Sequence, residues 1–147
     1  MKTIVITFSK HFPKHHPKAG NDIHFVESIL NGQKKTTIRS NYKRWEKIAD
    51  QLEEGTHILS LRYWTDKPYR SKQIAFARCA KINIETVFIT NNTNGFEMTL
   101  KDEYLYYSEQ LAVAKKEGFN NLEDFRNWFQ EDEFSGIMIE FLEIDEV

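Results

Sequence analysis

The period of apolar positions changes twice along the chain. Thr3–Phe8 is a short apolar, β-branched run and reads as a strand. Lys10–Gly20 breaks the pattern: two prolines, three histidines and three lysines, closed by a glycine, form a loop. The spacing then becomes helical. Asn21 or Asp22 can cap a short helix with Phe25, Val26, Ile29 and Leu30 on its apolar side, and Gly32 stops it. Lys35–Arg39 interrupts as a strand. Ser40 or Asn41 caps a second helix, in which Tyr42, Trp45, Ile48, Ala49 and Leu52 recur at helical intervals up to Gly55.

Beyond residue 56 alternation takes over. His57–Trp64 and Lys72–Ile84 read as strands around a turn at Thr65–Tyr69, and Val87–Thr90 and Phe96–Leu100 flank the hairpin signal Asn91-Asn92-Thr93-Asn94-Gly95. A third helix is predicted from Asp102 to Lys116, ended by Gly118. Asn121 caps a fourth, with Leu122, Phe125, Trp128 and Phe129 on its apolar side, and Ser135–Ile144 is the last strand.

Neighbouring strands with helices inserted between them, and no linker or repeat, predict one domain over residues 1–147. Its class is α+β, mainly β: a small, mostly antiparallel barrel with flanking short helices. The 14% aromatic content argues against disorder, and 147 residues bury enough surface to need no disulfide or metal staple. Neither G-x-G-x-x-G nor G-x-x-x-x-G-K occurs, which removes dinucleotide oxidoreductases and P-loop NTPases. No apolar run approaches the roughly 20 residues of a membrane span. The apolar start, Ile4–Phe8, is too short for a signal-peptide core. The single Cys79 can form no internal disulfide and reads as a buried apolar residue, so a cytoplasmic protein without a four-cysteine zinc site is expected.

Charge adds an asymmetry that the net value of -2 hides. Residues 1–81 carry 16 Lys and Arg against 7 Asp and Glu, whereas residues 82–147 carry 4 against 15. Either the basic half meets an anionic partner, or the two halves pack together and neutralise each other.

The densest chemistry lies in Ile29-Leu30-Asn31-Gly32-Gln33-Lys34-Lys35-Thr36-Thr37-Ile38-Arg39. Thr37 and Arg39 are two apart on a strand and share a face, and Lys34 sits at the corner before it. An ammonium, a hydroxyl and a guanidinium converging there suit an anionic or carbonyl-bearing ligand. The same residues also read as ordinary solvated strand edge.

The pattern G-x-K-x-x-T-x-R, filled by Gly32, Lys34, Thr37 and Arg39, resembles the signature of the ASCH domain, a relative of the PUA fold. Glu54-Gly55-Thr56-His57-Ile58 is similar to the family's turn-glycine before a barrel strand. Ala114-Lys115-Lys116-Glu117-Gly118, with the helix after it, resembles its A-x-x-E-G segment. The resemblance runs from about residue 23 to the final strand. It implies a PUA-like small mixed β-barrel whose cleft binds RNA or a modified nucleoside or nucleotide. It also implies an alternative, a nucleoside-directed hydrolase that removes the acyl group of N4-acetylcytidine, or a ribonuclease. In the amidohydrolase reading Lys34 is the proton acceptor, Thr37 the nucleophile and Glu117 the proton donor, with no metal or organic cofactor.

For Lys34 to act as a base, burial or neighbouring cations must lower its pKa; Lys35 and Arg39 would push it down and Glu117 up. Glu117 otherwise reads as a solvated carboxylate at a helix C-terminus, where the helix dipole disfavours it. Compared with the compact amidohydrolases the chain is longer in the 10–20 loop, the 41–54 helix and the 83–101 hairpin.

Two further groups draw notice. Arg39, Lys35, Lys67, Tyr69, Arg70 and Lys72 are candidate ligand contacts, because cations interleaved with aromatic rings suit phosphates and unpaired bases. Tyr69, beside Pro68 in a turn, is the candidate for stacking, whereas Trp45 and Trp64 also read as core. His11, His15 and His16 invite a metal reading, yet adjacent histidines point apart in an extended chain. With Lys10, Lys14 and Lys18 they read as a phosphate-contacting lip or a solvated loop. The acidic residues from Glu131 to Glu133 and Glu140 to Glu146 read as a solvated face.

Overall fold

A computed structural model describes residues 1–147. Its elements are β1 (Lys2–Phe8), α1 (Phe25–Leu30), β2 (Thr36–Arg39), α2 (Tyr42–Glu53), β3 (His57–Trp64), β4 (Gln73–Asn92), β5 (Gly95–Leu100), β6 (Glu103–Tyr104), α3 (Tyr107–Lys116), α4 (Leu122–Arg126) and β7 (Glu133–Glu146). The seven strands form one mixed sheet in the order β1-β3-β4-β5-β6, with β7 on β4 and β2 on β7. Only β1 and β3 are parallel, and their connection carries α1, β2 and α2 as a crossover. No helix is long and apolar enough to cross a membrane.

β4 is the spine. It pairs with β3 near its start (Trp64↔Gln73), with β5 near its end (Val87↔Leu100), and with β7 from Ala77↔Glu146 to Thr90↔Glu133. This explains why residues 72–92, which the sequence divides into two strands, are continuous. Glu85 and Thr86, polar enough to suggest a break, are held by ladder partners Met138 and Ile137. Tertiary pairing overrides local polarity.

Two helix starts also move. α1 begins after His24, whose φ of 59° is left-handed; Asp22 accepts a hydrogen bond from the His24 N–H (2.8 Å) rather than capping the helix. α3 begins at Tyr107 instead of Asp102, because Lys101 and Asp102 both take positive φ and turn Glu103–Tyr104 back onto β5 as a two-residue strand. Asn41 and Asn121 do cap α2 and α4, accepting from the N–H groups of Arg44 and Asp124.

The core is continuous. Trp45, Ile48 and Leu52 of α2 join Leu59, Leu61, Ala77, Cys79, Ile89, Ile137 and Ile139 of the sheet, all buried. Phe8 lies at its edge, stacked edge-on against Phe76 and Phe141, and so faces both the core and the hollow beyond β1. The basic and acidic halves interleave within this sheet: Arg78 stands in register with Asp145, and Lys81 with Glu143. The charge asymmetry along the chain is thus partly matched across the β4–β7 ladder.

Candidate functional site

The site begins where α1 ends. The Lys34 N–H donates to Ser28 O (2.9 Å) and the Lys35 N–H to Lys116 O (2.8 Å), which ties the start of β2 to the last turn of α3. Two segments more than 80 residues apart in the chain are thereby locked side by side. The Lys34 side chain runs inward across this junction and is buried. Its Nζ donates to Thr36 O (2.7 Å) and Glu117 O (2.6 Å), and lies 4.3 Å from the centre of the Phe25 ring.

Burial pushes the Lys34 ammonium down from its ordinary 10.5 to about 8; Glu117 opposes the fall and Arg39 adds to it. Lys35, expected to contribute, is exposed and does not. The two carbonyls take two of the nitrogen's N–H bonds. The remaining position is a third N–H in the ammonium and a lone pair in the neutral amine.

On β2 the alternation of side chains separates Thr36 from Thr37. Thr37 Oγ1 accepts from Arg39 Nε (3.2 Å), while Arg39 Nη2 donates to Thr7 O (2.7 Å) and its guanidinium lies 5.1 Å from the Phe8 ring centre. Burial lowers the Arg39 pKa to about 10. Thr37 accepts from a cation and retains its own O–H for donation or abstraction. Thr36 Oγ1 donates to Glu117 Oε2, and thereby orients the buried carboxylate of the residue that ends α3.

Lys34, Thr37, Arg39 and Glu117 meet on one cavity of about 240 Å³. Its walls are aromatic: Phe8, Phe25, Trp64, Tyr69, Phe119 and Trp128 all contribute. Phe25, Phe119 and Trp128 pack mutually with centroid separations of 5.6–5.7 Å, so that wall is rigid. Trp64 is 8% exposed yet lines the cavity, and Tyr69 stands at the mouth, 85% exposed, with its ring 5.1 Å from Trp64. A polar floor under aromatic walls suits a planar ligand with hydrogen-bonding edges.

The other ligand candidates separate. Lys67 lines an adjoining groove, and Lys35 faces a different one with Lys115 and Lys116; Arg70 and Lys72 are exposed and lie outside the cavity lining. Lys35 precedes β2, so strand alternation does not fix it on Thr37's face, and its side chain is exposed. Trp45 is core, 2% exposed.

The histidine loop is not uniformly solvated. His16 is buried: its Nδ1 accepts from the Lys18 N–H (3.0 Å), so Nε2 carries the proton and donates to Asp124 O (2.8 Å). His15 Nε2 contacts Trp128 O (2.9 Å), and Lys18 Nζ pairs with Asp124 Oδ2 (2.6 Å). No group of three His, Cys, Asp or Glu side chains converges on a point that could hold a metal.

The residues that sequence reasoning missed are Thr36 and the Phe25–Phe119–Trp128 wall. The adjacent threonines carried a usable signal: on a strand buried on both faces, each hydroxyl must find a partner on its own side. Comparison of the chain with protein-family models, curated proteins and solved structures finds no match.

Proposed function

We propose that the cavity binds one nucleobase, presented by a nucleoside, a nucleotide or an unpaired position of RNA, in a domain of the ASCH type with a PUA-like barrel. The observation that carries this reading is the meeting of Lys34, Thr37, Arg39 and Glu117 on the floor of a single aromatic-walled cavity. About 240 Å³ lies below the roughly 300–1,000 Å³ of drug-sized sites, which favours one ring system over a longer ligand. Aromatic faces supply stacking, and the floor supplies donors and an acceptor for a base edge. A buried, unpaired Cys79 accords with a reducing compartment, and we place the protein in the cytoplasm.

Lys34 favours a second reading, hydrolysis of an acylated nucleoside. A lysine with its pKa near 8 is a far better base at neutral pH than a solvated one, and its free position is the one a proton would take. In that reaction Lys34 takes the Thr37 proton as Oγ1 attacks the acyl carbon. For this step Glu117 must start protonated: it gives its proton to the departing amine. Water then attacks the acyl-Thr37 ester to release the acid and returns a proton to Glu117, and Lys34 gives back the Thr37 proton. The Arg39 contact to Thr37 Oγ1 stabilises negative charge developing there. Phosphodiester cleavage is the other hydrolytic possibility of the same floor.

Titration with ribonucleosides, N4-acetylcytidine and a short single-stranded RNA, read by tryptophan fluorescence, tests the binding reading; acetate release from N4-acetylcytidine tests the hydrolytic one. Binding lost in Arg39→Ala, without turnover, supports the binder. Turnover lost in Lys34→Ala, Thr37→Ala and Glu117→Gln supports the hydrolase. Absence of both binding and turnover removes both.

A further inference from the structure

We propose that the groove between loop 10–20 and the 65–72 hairpin holds the phosphate of a nucleotide whose base occupies the cavity, so that the preferred ligand is a nucleotide and not a free nucleoside. This rests on the nucleobase reading of the cavity. The groove, about 450 Å³, is lined by Lys10, His11, Lys14 and Lys67, with Asp66 the one carboxylate. It shares Ser9 and Pro68 with the cavity, so a single ligand can lie across both.

None of Lys10, Lys14 and Lys67 has a carboxylate partner, in contrast to Lys18, which is held by Asp124, although Lys10 Nζ lies 5.4 Å from the centre of the Tyr63 ring. Three lysines against one aspartate leave a local positive excess, and a phosphate is the anion that a nucleobase brings with it.

The loop that presents two of these lysines is built rather than loose. Its ends close on each other, with the Phe12 N–H donating to Asn21 O (3.0 Å) and the Gly20 N–H to Phe12 O (3.1 Å). His16 anchors its middle on α4, and the Phe12 ring packs 4.4 Å from His16 and 6.4 Å from Trp128, a wall of the cavity. The same residues therefore fix the cavity wall and the lip above it, which lowers the ordering cost of binding a ligand across them.

The test compares ribonucleosides, including cytidine and N4-acetylcytidine, with their 3′- and 5′-monophosphates in equilibrium titrations at low salt. The phosphate should tighten binding by about tenfold, the scale of a few exposed ion pairs, with the advantage shrinking as salt rises. Lys10→Ala/Lys14→Ala/Lys67→Ala should erase that advantage while nucleoside affinity stays within about twofold of wild type, since those side chains do not line the cavity. Lys2→Ala/Lys47→Ala/Lys115→Ala removes the same charge elsewhere and should leave the advantage intact. Nucleosides and monophosphates binding wild type equally well overturns the proposal and leaves the cavity reading standing. So does an advantage that survives the groove variant, or one that both triple variants erase. If neither ligand class binds, the cavity reading falls and this one with it.

Discussion

Gly118 clears the path of Lys34. A Cβ at position 118 would lie 2.9 Å from Lys34 Cδ and 3.2 Å from its Cβ and Cγ, and Gly118 has a φ of +94°. The glycine that ends α3 thus does two things at once. It permits the left-handed turn after Glu117, and it lets a lysine stem pass close enough for Nζ to reach the Glu117 carbonyl.

Gly118→Ala should therefore damage both fold and site. Left-handed backbone costs a non-glycine residue about 1–2 kcal/mol, and crowding a packed stem adds about 1–3 kcal/mol, so a loss of roughly 2–5 kcal/mol is expected. Urea unfolding measures it. A loss below about 0.5 kcal/mol, the range of an ordinary surface change, would show that the lysine does not take this route.

Lys34 should leave a signature in the pH dependence of stability. The unfolded chain keeps the lysine proton to about pH 10.5, whereas the folded protein releases it near pH 8. Between these values the unfolded state binds more protons, so stability rises with pH. Relative to Lys34→Met, in which the other titrating groups are unchanged, wild type should gain about 3 kcal/mol across that window. The difference should be flat below about pH 7. Denaturation midpoints of the two proteins at a series of pH values check this. A difference that does not change from pH 7 to 10.5 would mean that the amine is solvated.

Much of this site was legible because strand geometry is local. Thr37 and Arg39 are two apart, and the structure joins their side chains; Lys34 sits at the predicted corner, whereas Glu117 was singled out by the resemblance of Ala114–Gly118 to a family segment and not by local geometry. What no local pattern contains is the partner of each group. Thr36 was passed over because its hydroxyl is spent on a carboxylate 81 positions away, and Lys35 was overvalued because sequence proximity to Lys34 is not proximity in space. The same holds for the fold. Asn41, Asn121 and the Asn91–Gly95 hairpin are set by neighbours a few residues away, and the structure has them. The continuity of β4 through Glu85 and Thr86 depends on β7, which the chain supplies only some 50 residues later.

Thr36 is a positioning residue for Glu117. Thr36→Val keeps the shape and removes the only hydroxyl that donates to the Glu117 carboxylate, which costs about 1–3 kcal/mol for a buried acceptor left unmatched. Ligand affinity or turnover should fall alongside it, and Thr36→Ser should restore both. The double variant Thr36→Val/Glu117→Gln should be less damaging than the two single effects added together, as expected for two groups in one hydrogen bond. Strict additivity would show that the two residues act separately.

Tyr69 offers the cleanest separation of binding from stability. It is 85% exposed with a φ of +63°, so it adds little to the core, yet its ring leans on Trp64 at the mouth of the cavity. On the proposed reading, a base entering the cavity would meet this ring first. Tyr69→Ala should weaken binding of a nucleoside or nucleotide by about 1–3 kcal/mol, the worth of one base–aromatic stack, whereas Tyr69→Phe should bind like wild type because the face of the ring is unchanged. Tyr69→Gly relieves the left-handed backbone and should slightly raise stability while losing the same affinity, which separates the two effects in opposite directions. Unfolding curves and titrations on the three variants read both quantities. If Tyr69→Ala binds as tightly as wild type, the ligand does not stack at this mouth, and recognition has to come from the buried floor and walls alone.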